Sequence, residues 1–171
     1  IIIKGAKSPE RLLAETTLFL HKDEEELPKK QQESLKQLIE EKHVVLKGKH
    51  ILMVDDDMRN LFALSSVLES QEMKVTLARN GREAIDKLEE EHHIDLILMD
   101  IMMPEMDGYE AMRRIRKMHL YEDVPIIALT AKAMKSDREK AIAAGANEYL
   151  AKPVDNDKLL SMLRVWLYNN E

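Results

Sequence analysis

The sequence predicts an α/β fold, in which a doubly wound five-stranded parallel sheet is covered by helices on both faces and is preceded by an N-terminal helical extension. From residue 50 onward, five short apolar runs alternate with stretches of helical periodicity. Five β-α repeats of this length favour a parallel sheet with helices on both faces. The runs are apolar throughout rather than alternating, which indicates strands buried on both sides.

The apolar runs define the strands in order along the chain. They predict strands at residues 51–54, 75–77, 94–99, 126–129 and 148–151. After the first run, Leu61, Leu64 and Leu68 recur at helical spacing, so they share one face of the first helix. This pattern predicts that the first helix packs on the sheet through its leucines.

Polar residues that can cap a helix mark the starts of the later helices. Asn80, Asp107 and Ser136 are expected to cap the second, third and fourth helices, because short polar side chains can accept hydrogen bonds from free backbone N–H groups. The fourth helix is expected to end near Gly145. The last helix is predicted over about residues 155–168.

The first 48 residues do not continue the β-α rhythm and are predicted to be a separate helical extension. Two helical stretches, Pro9–His21 and Pro28–His43, each have a proline suited to a first helical turn. A mostly charged connection, Lys22–Lys30, lies between them. The first stretch is more apolar than a lone surface helix needs, and its leucines require a partner surface: Leu12, Leu13, Leu18 and Leu20.

Composition excludes several classes of function. A net charge of -6 in 171 residues leaves no basic stripe for nucleic acid. The absence of cysteine rules out disulfides and thiolate chemistry and fits a cytoplasmic protein. No apolar run is long enough to cross a bilayer, so no direct membrane insertion is expected. The chain begins Ile1-Ile2-Ile3, without an initiator Met or a signal-peptide pattern, and we expect it to be a piece of a longer protein.

Charged and hydroxyl side chains follow four of the five predicted strands. They are Asp55, Asp56 and Asp57 after the first, Asp100 after the third, Thr130 after the fourth and Lys152 after the fifth. Strands one and three are neighbours in a doubly wound sheet, and ligands of such sheets bind at the carboxyl ends of the strands. Crowded carboxylates repel each other unless a cation intervenes, and hard oxygen ligands suit Mg²⁺. The pattern therefore predicts a magnesium site that supports chemistry on phosphorus.

Four segments carry a resemblance to a known family. They are residues 51–57, ILMVDDD, residues 98–108, LMDIMMPEMDG, residues 128–131, ALTA, and residues 149–153, YLAKP. In this order and spacing they resemble the receiver domains of two-component response regulators, over residues 49–171. The resemblance implies a flavodoxin-like fold and a domain that catalyses its own phosphorylation and dephosphorylation.

The resemblance also implies a role for each matching acidic residue. Asp100 matches the aspartate that is phosphorylated. Asp55 and Asp56 match the acidic pair that holds Mg²⁺, with Asp56 as the direct ligand and Asp55 acting through water. Asp100 and the backbone carbonyl of Met102 would complete the protein's share of the metal shell. Asp57 matches no required family position, and a carboxylate favourable at a helix N-terminus is the better interpretation.

Further matching positions concern the phosphoryl group and the response to it. Thr130 would hydrogen-bond one phosphoryl oxygen, and Lys152 would pair with another. The peptide bond before Pro153 is usually cis in this family, which orients the lysine inward. Tyr149 matches the switch aromatic, which changes rotamer as Thr130 moves towards the phosphoryl group.

The implied partner is the phosphohistidine of a histidine kinase or of a phosphotransfer domain. Residues 1–48 resemble the last strand and helix of a preceding receiver-like domain, as found in hybrid histidine kinases, so the parent protein is expected to be a histidine kinase. The unassigned leucines are expected to bury themselves against the receiver's own surface or to form a homodimer through the N-terminal helices.

Two alternatives use the same residues differently. A phosphatase of the haloacid-dehalogenase type also forms an aspartyl phosphate on a parallel sheet, but it needs a second Asp two residues after the nucleophile, where this chain has Met102. A receiver that acts only as a docking module is disfavoured because no site residue is missing. A nucleotide-binding function is excluded, since neither a G-x-G-x-x-G nor a Walker motif is present.

Overall fold

The computed structural model describes residues 44–131 and 134–168. Five parallel strands form one sheet in the order β2-β1-β3-β4-β5. The strands are β1 (His50–Val54), β2 (Lys74–Ala78), β3 (Leu96–Asp100), β4 (Ile126–Thr130) and β5 (Glu148–Ala151). The helices are α1 (Met58–Ser70), α2 (Gly81–Glu90), α3 (Gly108–Ile115), α4 (Lys135–Ala144) and α5 (Asn156–Tyr168), with a short 3-10 helix at His119–Tyr121. The predicted α/β fold with a five-stranded parallel sheet is confirmed.

Two apolar clusters hold the sheet between its helices. Successive residues of a strand point to opposite faces, so the two faces of β1, β3 and β4 contribute to different clusters. One cluster joins the sheet to α2, α3 and α4, and the other joins it to α1 and α5. The leucines Leu61, Leu64 and Leu68 lie in the second cluster, as their spacing predicts.

The central strands β1, β3 and β4 are buried along their whole length. The edge strands β2 and β5 are only partly buried. The expectation that all five strands are buried on both sides is therefore wrong for these two, because an edge strand has a neighbour on one side only. Apolar runs of similar length do not distinguish a central from an edge position.

The predicted helix ends are confirmed with one exception. Asn80 and Asp107 each accept a hydrogen bond from the backbone N–H three residues further on. Gly145 ends α4 with a φ of 121°, a conformation that favours glycine. Ser136 does not cap α4: the helix begins one residue earlier, and its cap position holds Met134, which provides no side-chain hydrogen bond.

The chain enters the fold beside the end of α1. Leu46 is fully buried in the cluster formed with α1 and α5, and the backbone N–H of Gly48 donates to the carbonyl of Glu72 at 2.9 Å. The predicted helices Pro9–His21 and Pro28–His43 lie outside the described residues. Within the described part of the chain, no helix combines the length and apolarity that crossing a bilayer requires.

Candidate functional site

The carboxyl ends of the strands bring the predicted residues to one edge of the sheet. Parallel pairing aligns Val54 with Met99, Asp100 with Leu129 and Thr130 with Ala151. The residues that end or follow β1, β3, β4 and β5 therefore lie side by side. Residues up to 97 positions apart in sequence meet at this edge.

Three carboxylates form a compact acidic cluster. One oxygen from each of Asp55, Asp56 and Asp100 lies within 4.8 Å of the others. Asp55 and Asp100 are buried, each with 2% of its surface exposed, whereas Asp56 is exposed. Carboxylate oxygens at this spacing, with one side open to solvent, fit a hard divalent cation.

Asp55 is held in place by donors on both of its oxygens. Its Oδ1 accepts a hydrogen bond from the backbone N–H of Asp57 at 2.9 Å. Its Oδ2 accepts from Lys152 Nζ at 2.8 Å and from the Asn60 side-chain amide at 3.4 Å. Donors on both oxygens fix the orientation of this carboxylate.

Asp100 is a buried carboxylate whose ionisation is opposed by its surroundings. Burial and the nearby charge of Asp55 raise the pKa of Asp100 to about 6, although Lys152 and the backbone N–H of Met102 act in the opposite direction. The Lys152 Nζ lies 3.2 Å from Asp100 Oδ1, and the Met102 N–H donates to the same oxygen at 3.3 Å. A bound cation would relieve the repulsion between the two buried carboxylates.

Lys152 is the ammonium that faces both buried carboxylates. The peptide bond that joins it to Pro153 is cis. Burial lowers the pKa of Lys152, but the hydrogen bond to Asp55 and the charge of Asp100 outweigh it, so that the pKa lies above its ordinary value. Lys152 therefore carries a positive charge at neutral pH, beside Asp100.

Thr130 and Tyr149 lie next to each other on β4 and β5. Thr130 is 2% exposed and Tyr149 is half-buried. Burial and the charge of Asp137 raise the pKa of Tyr149, and a side-chain hydrogen bond with Thr130 acts in the opposite direction. The two residues that the family resemblance pairs as a switch are thus in hydrogen-bond contact.

Asp57 lies apart from this chemistry. Its side chain accepts a hydrogen bond from the Arg59 backbone N–H at 2.9 Å and caps α1. The Arg59 guanidinium binds the same carboxylate and lowers the pKa of Asp57. The helix-terminus interpretation of Asp57 agrees with this geometry.

Two residues that shape the site have no role in the sequence prediction. Asn60 reaches Asp55 from the first turn of α1. Gly108 starts α3 directly against the loop after β3: a Cβ on Gly108 would lie 2.3 Å from the Asp100 carbonyl oxygen and 2.8 Å from the Ile101 Cα. The signal for Gly108 was its place in the Asp-Gly pair at the predicted start of the helix, but close approach of two backbones is not readable from sequence.

Comparison with known proteins identifies the family. The family model described as the response regulator receiver domain matches residues 51–164. The chain belongs to this family. It is thus a receiver domain of two-component phosphorelay signalling, as the four segments predict.

Relatives of this receiver occur in hybrid kinases and in smaller proteins. The signal transduction histidine-protein kinase BarA of Escherichia coli K12 is 34% identical over 156 residues, which cover 91% of this chain and 16% of BarA. The hybrid signal transduction histidine kinase M of Dictyostelium discoideum is 38% identical over 125 residues, covering 71% of this chain and 5% of that kinase. An uncharacterised 14.6 kDa protein of Leptolyngbya boryana is 43% identical over 114 residues, which cover 67% of this chain and 86% of its own length.

Solved receiver structures share the fold. The receiver domain of the sensor histidine kinase PA1611 from Pseudomonas aeruginosa PAO1 is 41% identical, with a TM-score of 0.67, and the match covers 71% of this chain and 99% of that one. That structure contains a magnesium ion coordinated in its active-site cleft. The chemotaxis protein CheY4 of Vibrio cholerae is 31% identical, with a TM-score of 0.66 and coverage of 68% and 97%.

Proposed function

We propose that Asp100 of this receiver accepts a phosphoryl group from the phosphohistidine of a histidine kinase or phosphotransfer domain, in a Mg²⁺-dependent reaction. The observation that carries the proposal is the position of Asp100, a buried carboxylate held between the Lys152 ammonium and the acidic pair Asp55 and Asp56. Asp57 is excluded from this role because Arg59 binds its carboxylate at the start of α1.

The transfer requires an ionised nucleophile. A pKa of about 6 leaves the Asp100 carboxylate mostly ionised near neutral pH. An Asp100 oxygen forms the new bond to phosphorus while the bond from phosphorus to the imidazole nitrogen breaks, and the electron pair of that bond stays on the imidazole. Lys152 balances charge on the phosphoryl oxygens as it builds up.

The donor set of the cluster fits magnesium, which would supply charge neutralisation for the acidic cluster and for the incoming phosphoryl group. We propose Asp55, Asp56, Asp100 and the backbone carbonyl of Met102 as its protein ligands. Both oxygens of Asp55 already accept hydrogen bonds, which supports a water-mediated role for Asp55 and direct coordination by Asp56. The magnesium ion in the PA1611 receiver supports the assignment.

The proposed output is a shift in the Thr130–Tyr149 pair. Thr130 ends β4 beside Asp100, so its hydroxyl can turn from Tyr149 towards a phosphoryl oxygen. Breaking this hydrogen bond frees the Tyr149 ring to change rotamer. Phosphorylation would then favour one of two existing arrangements.

Intact-mass measurement with a small-molecule phosphodonor tests the proposal. The protein should gain the mass of one phosphoryl group with acetyl phosphate and Mg²⁺, and not with the chelator EDTA. Asp100→Asn should remove the gain. Asp57→Asn is the matched control, since it makes the same chemical change three residues from the first strand and leaves a capping side chain. Labelling of the Asp100→Asn protein would refute the assignment.

We further propose that the parent protein is a hybrid histidine kinase. The match to BarA extends over 91% of this chain, which includes part of the segment before the receiver. A kinase of this type draws its phosphoryl group from ATP and so places its receiver in the cytoplasm. Phosphotransfer from a purified kinase domain of the parent protein to Asp100, compared with Asp100→Asn, tests this step.

A further inference from the structure

The outer face of α5 is covered. Leu159, Leu160, Leu163 and Leu167 point from α5 into the core. With 100° between successive helical residues, Ser161 and Val165 point away from the sheet, whereas Arg164 lies on a flank of the helix. Ser161 and Val165, the α5 outer face, are nevertheless only half-buried rather than exposed. The middle turns of α5 therefore have no exposed residue on their outward side.

Helix α1, which packs on the same face of the sheet, differs from α5 in the exposure of its outward residues. Helix α1 has the same length and also packs through a leucine stripe, but its outward residues are exposed in every turn: Met58, Arg59, Phe62, Ala63, Ser66, Glu69 and Ser70. On α5, the exposed residues lie only at the two ends of the helix: Asn156, Asp157 and Lys158 in the first turn and Tyr168 at the end. The partial burial of outward residues is thus confined to the middle of α5 and is not shared by α1 on the same face of the sheet.

Three buried polar atoms on α5 and at the end of α1 have no hydrogen-bond partner within the described part of the chain. The indole Nε1 of Trp166, the Nε of Arg164 and the side-chain oxygen of Gln71 are buried, and none makes a hydrogen bond to any residue that the structure describes. A buried polar group without a partner is costly, so such groups ordinarily meet a protein group or a water molecule. Arg164 and Trp166 lie on the two flanks of the α5 outer face, 100° to either side of Val165, and their free N–H groups indicate that a further polar surface lies against this helix.

The first described residues of the chain lie on the α1 and α5 side of the sheet. Val45 and Leu46 pack in the cluster that α5 shares with α1, beside the turn that contains Gln71. The 43 residues that precede Val44 include the leucines of the stretch Pro9–His21 and several carboxylates that can accept hydrogen bonds.

We propose that residues 1–43 of the same chain pack along the α5 outer face, with Leu13 and Leu20 towards α5. These two leucines lie seven residues apart, which places them on one face of the helix that the sequence predicts. The N-terminal segment would then be an intramolecular partner of the receiver and would meet it on the side of the sheet that α5 covers. A second copy of the chain is the competing occupant.

Thiol accessibility in the full chain tests the proposal, because the sequence has no cysteine of its own. Ser161→Cys places one thiol in the α5 outer face, and Ser66→Cys places one on the exposed face of α1 as the matched control. Each rate of reaction with Ellman's reagent is divided by the rate for the same variant in urea, which removes differences in intrinsic reactivity. We expect the ratio for Ser161→Cys to be about tenfold below that for Ser66→Cys.

Substitutions in the segment identify the occupant. Leu13→Glu with Leu20→Glu should raise the Ser161→Cys ratio to the level of Ser66→Cys. The control pair Leu120→Glu with Met134→Glu, at residues 67% and 70% exposed, should leave it unchanged. Circular dichroism and phosphorylation at Asp100 confirm that the receiver stays folded.

Light scattering on the same samples distinguishes a monomer from a dimer. The proposal is supported by a monomeric Ser161→Cys protein whose thiol is protected and becomes reactive when the segment substitutions are added. Three results overturn it: equal ratios for the two cysteine variants, protection that survives Leu13→Glu with Leu20→Glu, or protection found only in a dimer.

Discussion

At the scale of single residues, the proposed chemistry requires an ionised Asp100, whereas the surroundings of Asp100 oppose its ionisation. Its pKa of about 6 lies above the ordinary carboxyl value, because burial and Asp55 disfavour the ionised form. The contribution of Asp100 to stability is therefore complete below the pKa of the unfolded chain and is lost as the pH rises through about 6. At neutral pH the metal-free fold is weakened by the charge of Asp100, the group that the proposed chemistry requires.

We predict that Asp100→Asn stabilises the metal-free protein at high pH. The asparagine does not ionise, so in EDTA the variant should gain about 1 kcal/mol over the wild type at about pH 8, after allowance for solvent screening, and little at about pH 4. Urea denaturation at the two pH values measures the difference.

Asp57→Asn is a control, because the pKa of Asp57 is shifted in the opposite direction to that of Asp100. Arg59 lowers the pKa of Asp57, so its ionised form favours folding above the unfolded pKa, and this contribution is lost as the pH falls through the lower folded pKa. Replacing Asp57 should bring no gain at high pH. A gain of equal size in both variants would mean that net charge, rather than the surroundings of Asp100, sets the effect.

Magnesium affinity should depend more on Asp56 than on Asp55. Asp56 is exposed at the open side of the cluster, whereas both oxygens of Asp55 already accept hydrogen bonds. We expect Asp56→Asn to weaken binding by about tenfold or more and Asp55→Asn to weaken it less. Titration calorimetry compares the two, and equal losses would contradict the assigned order of the ligands.

At the scale of secondary structure, Gly108 controls how closely α3 approaches β3. A Cβ there would meet backbone atoms of Asp100 and Ile101, which cannot move without displacing Asp100, the proposed nucleophile. Gly108→Ala should therefore cost about 3 kcal/mol and slow phosphorylation at Asp100. Thermal unfolding and intact mass measure the two effects.

Gly81→Ala is the matched control for that substitution. Gly81 also begins a helix, but a Cβ there would meet only side chains: the flexible Met106 at 3.0 Å and the Ala111 Cβ at 3.1 Å. Because the Met106 side chain can shift, Gly81→Ala should cost clearly less than Gly108→Ala. Similar losses would show that helix starts in general, rather than the contact with β3, require glycine.

Arg116 joins several elements at the opposite edge of the sheet. Its guanidinium donates to the carbonyl of Gly145 at the end of α4, to the side chain of Asn147 before β5 and to the carbonyl of Val124 before β4. We expect Arg116→Lys to cost about 2–4 kcal/mol, because an ammonium cannot reach these acceptors together. Arg114→Lys, which alters an exposed pair with Glu110, should cost less than about 1 kcal/mol in the same urea denaturation.

Sequence prediction succeeded where the interacting residues are close together in the chain and failed where they are far apart. The caps Asn80 and Asp107 were predictable because the hydrogen bond they form spans three residues. Ser136 has the right side chain for a cap, but α4 begins one residue before it, and nothing local separates a cap from a first-turn serine. The guanidinium of Arg116 reaches acceptors up to 31 positions away, and local pattern carries no signal for it.

At the scale of the whole molecule, the site was more predictable than the details of packing. Repeated β-α units imply the strand order, and the strand order places Asp55, Asp56 and Asp100 at one edge. The donors that orient Asp55 and the covered face of α5 depend on tertiary distances, which periodicity does not contain. Edge and central strands were indistinguishable for the same reason.

The span of 97 residues between Asp55 and Lys152 has a consequence for the chain as the ribosome makes it. Asp55 is synthesised early, yet its ammonium partner Lys152 comes directly after β5, the last strand, and follows the whole of β4 and α4. A nascent chain that stops short of β5 contains Asp55 and Asp100 but not Lys152, the group that we propose balances charge in the phosphoryl transfer. Under the proposed function, competence to accept a phosphoryl group therefore arises only after β5 has joined the sheet.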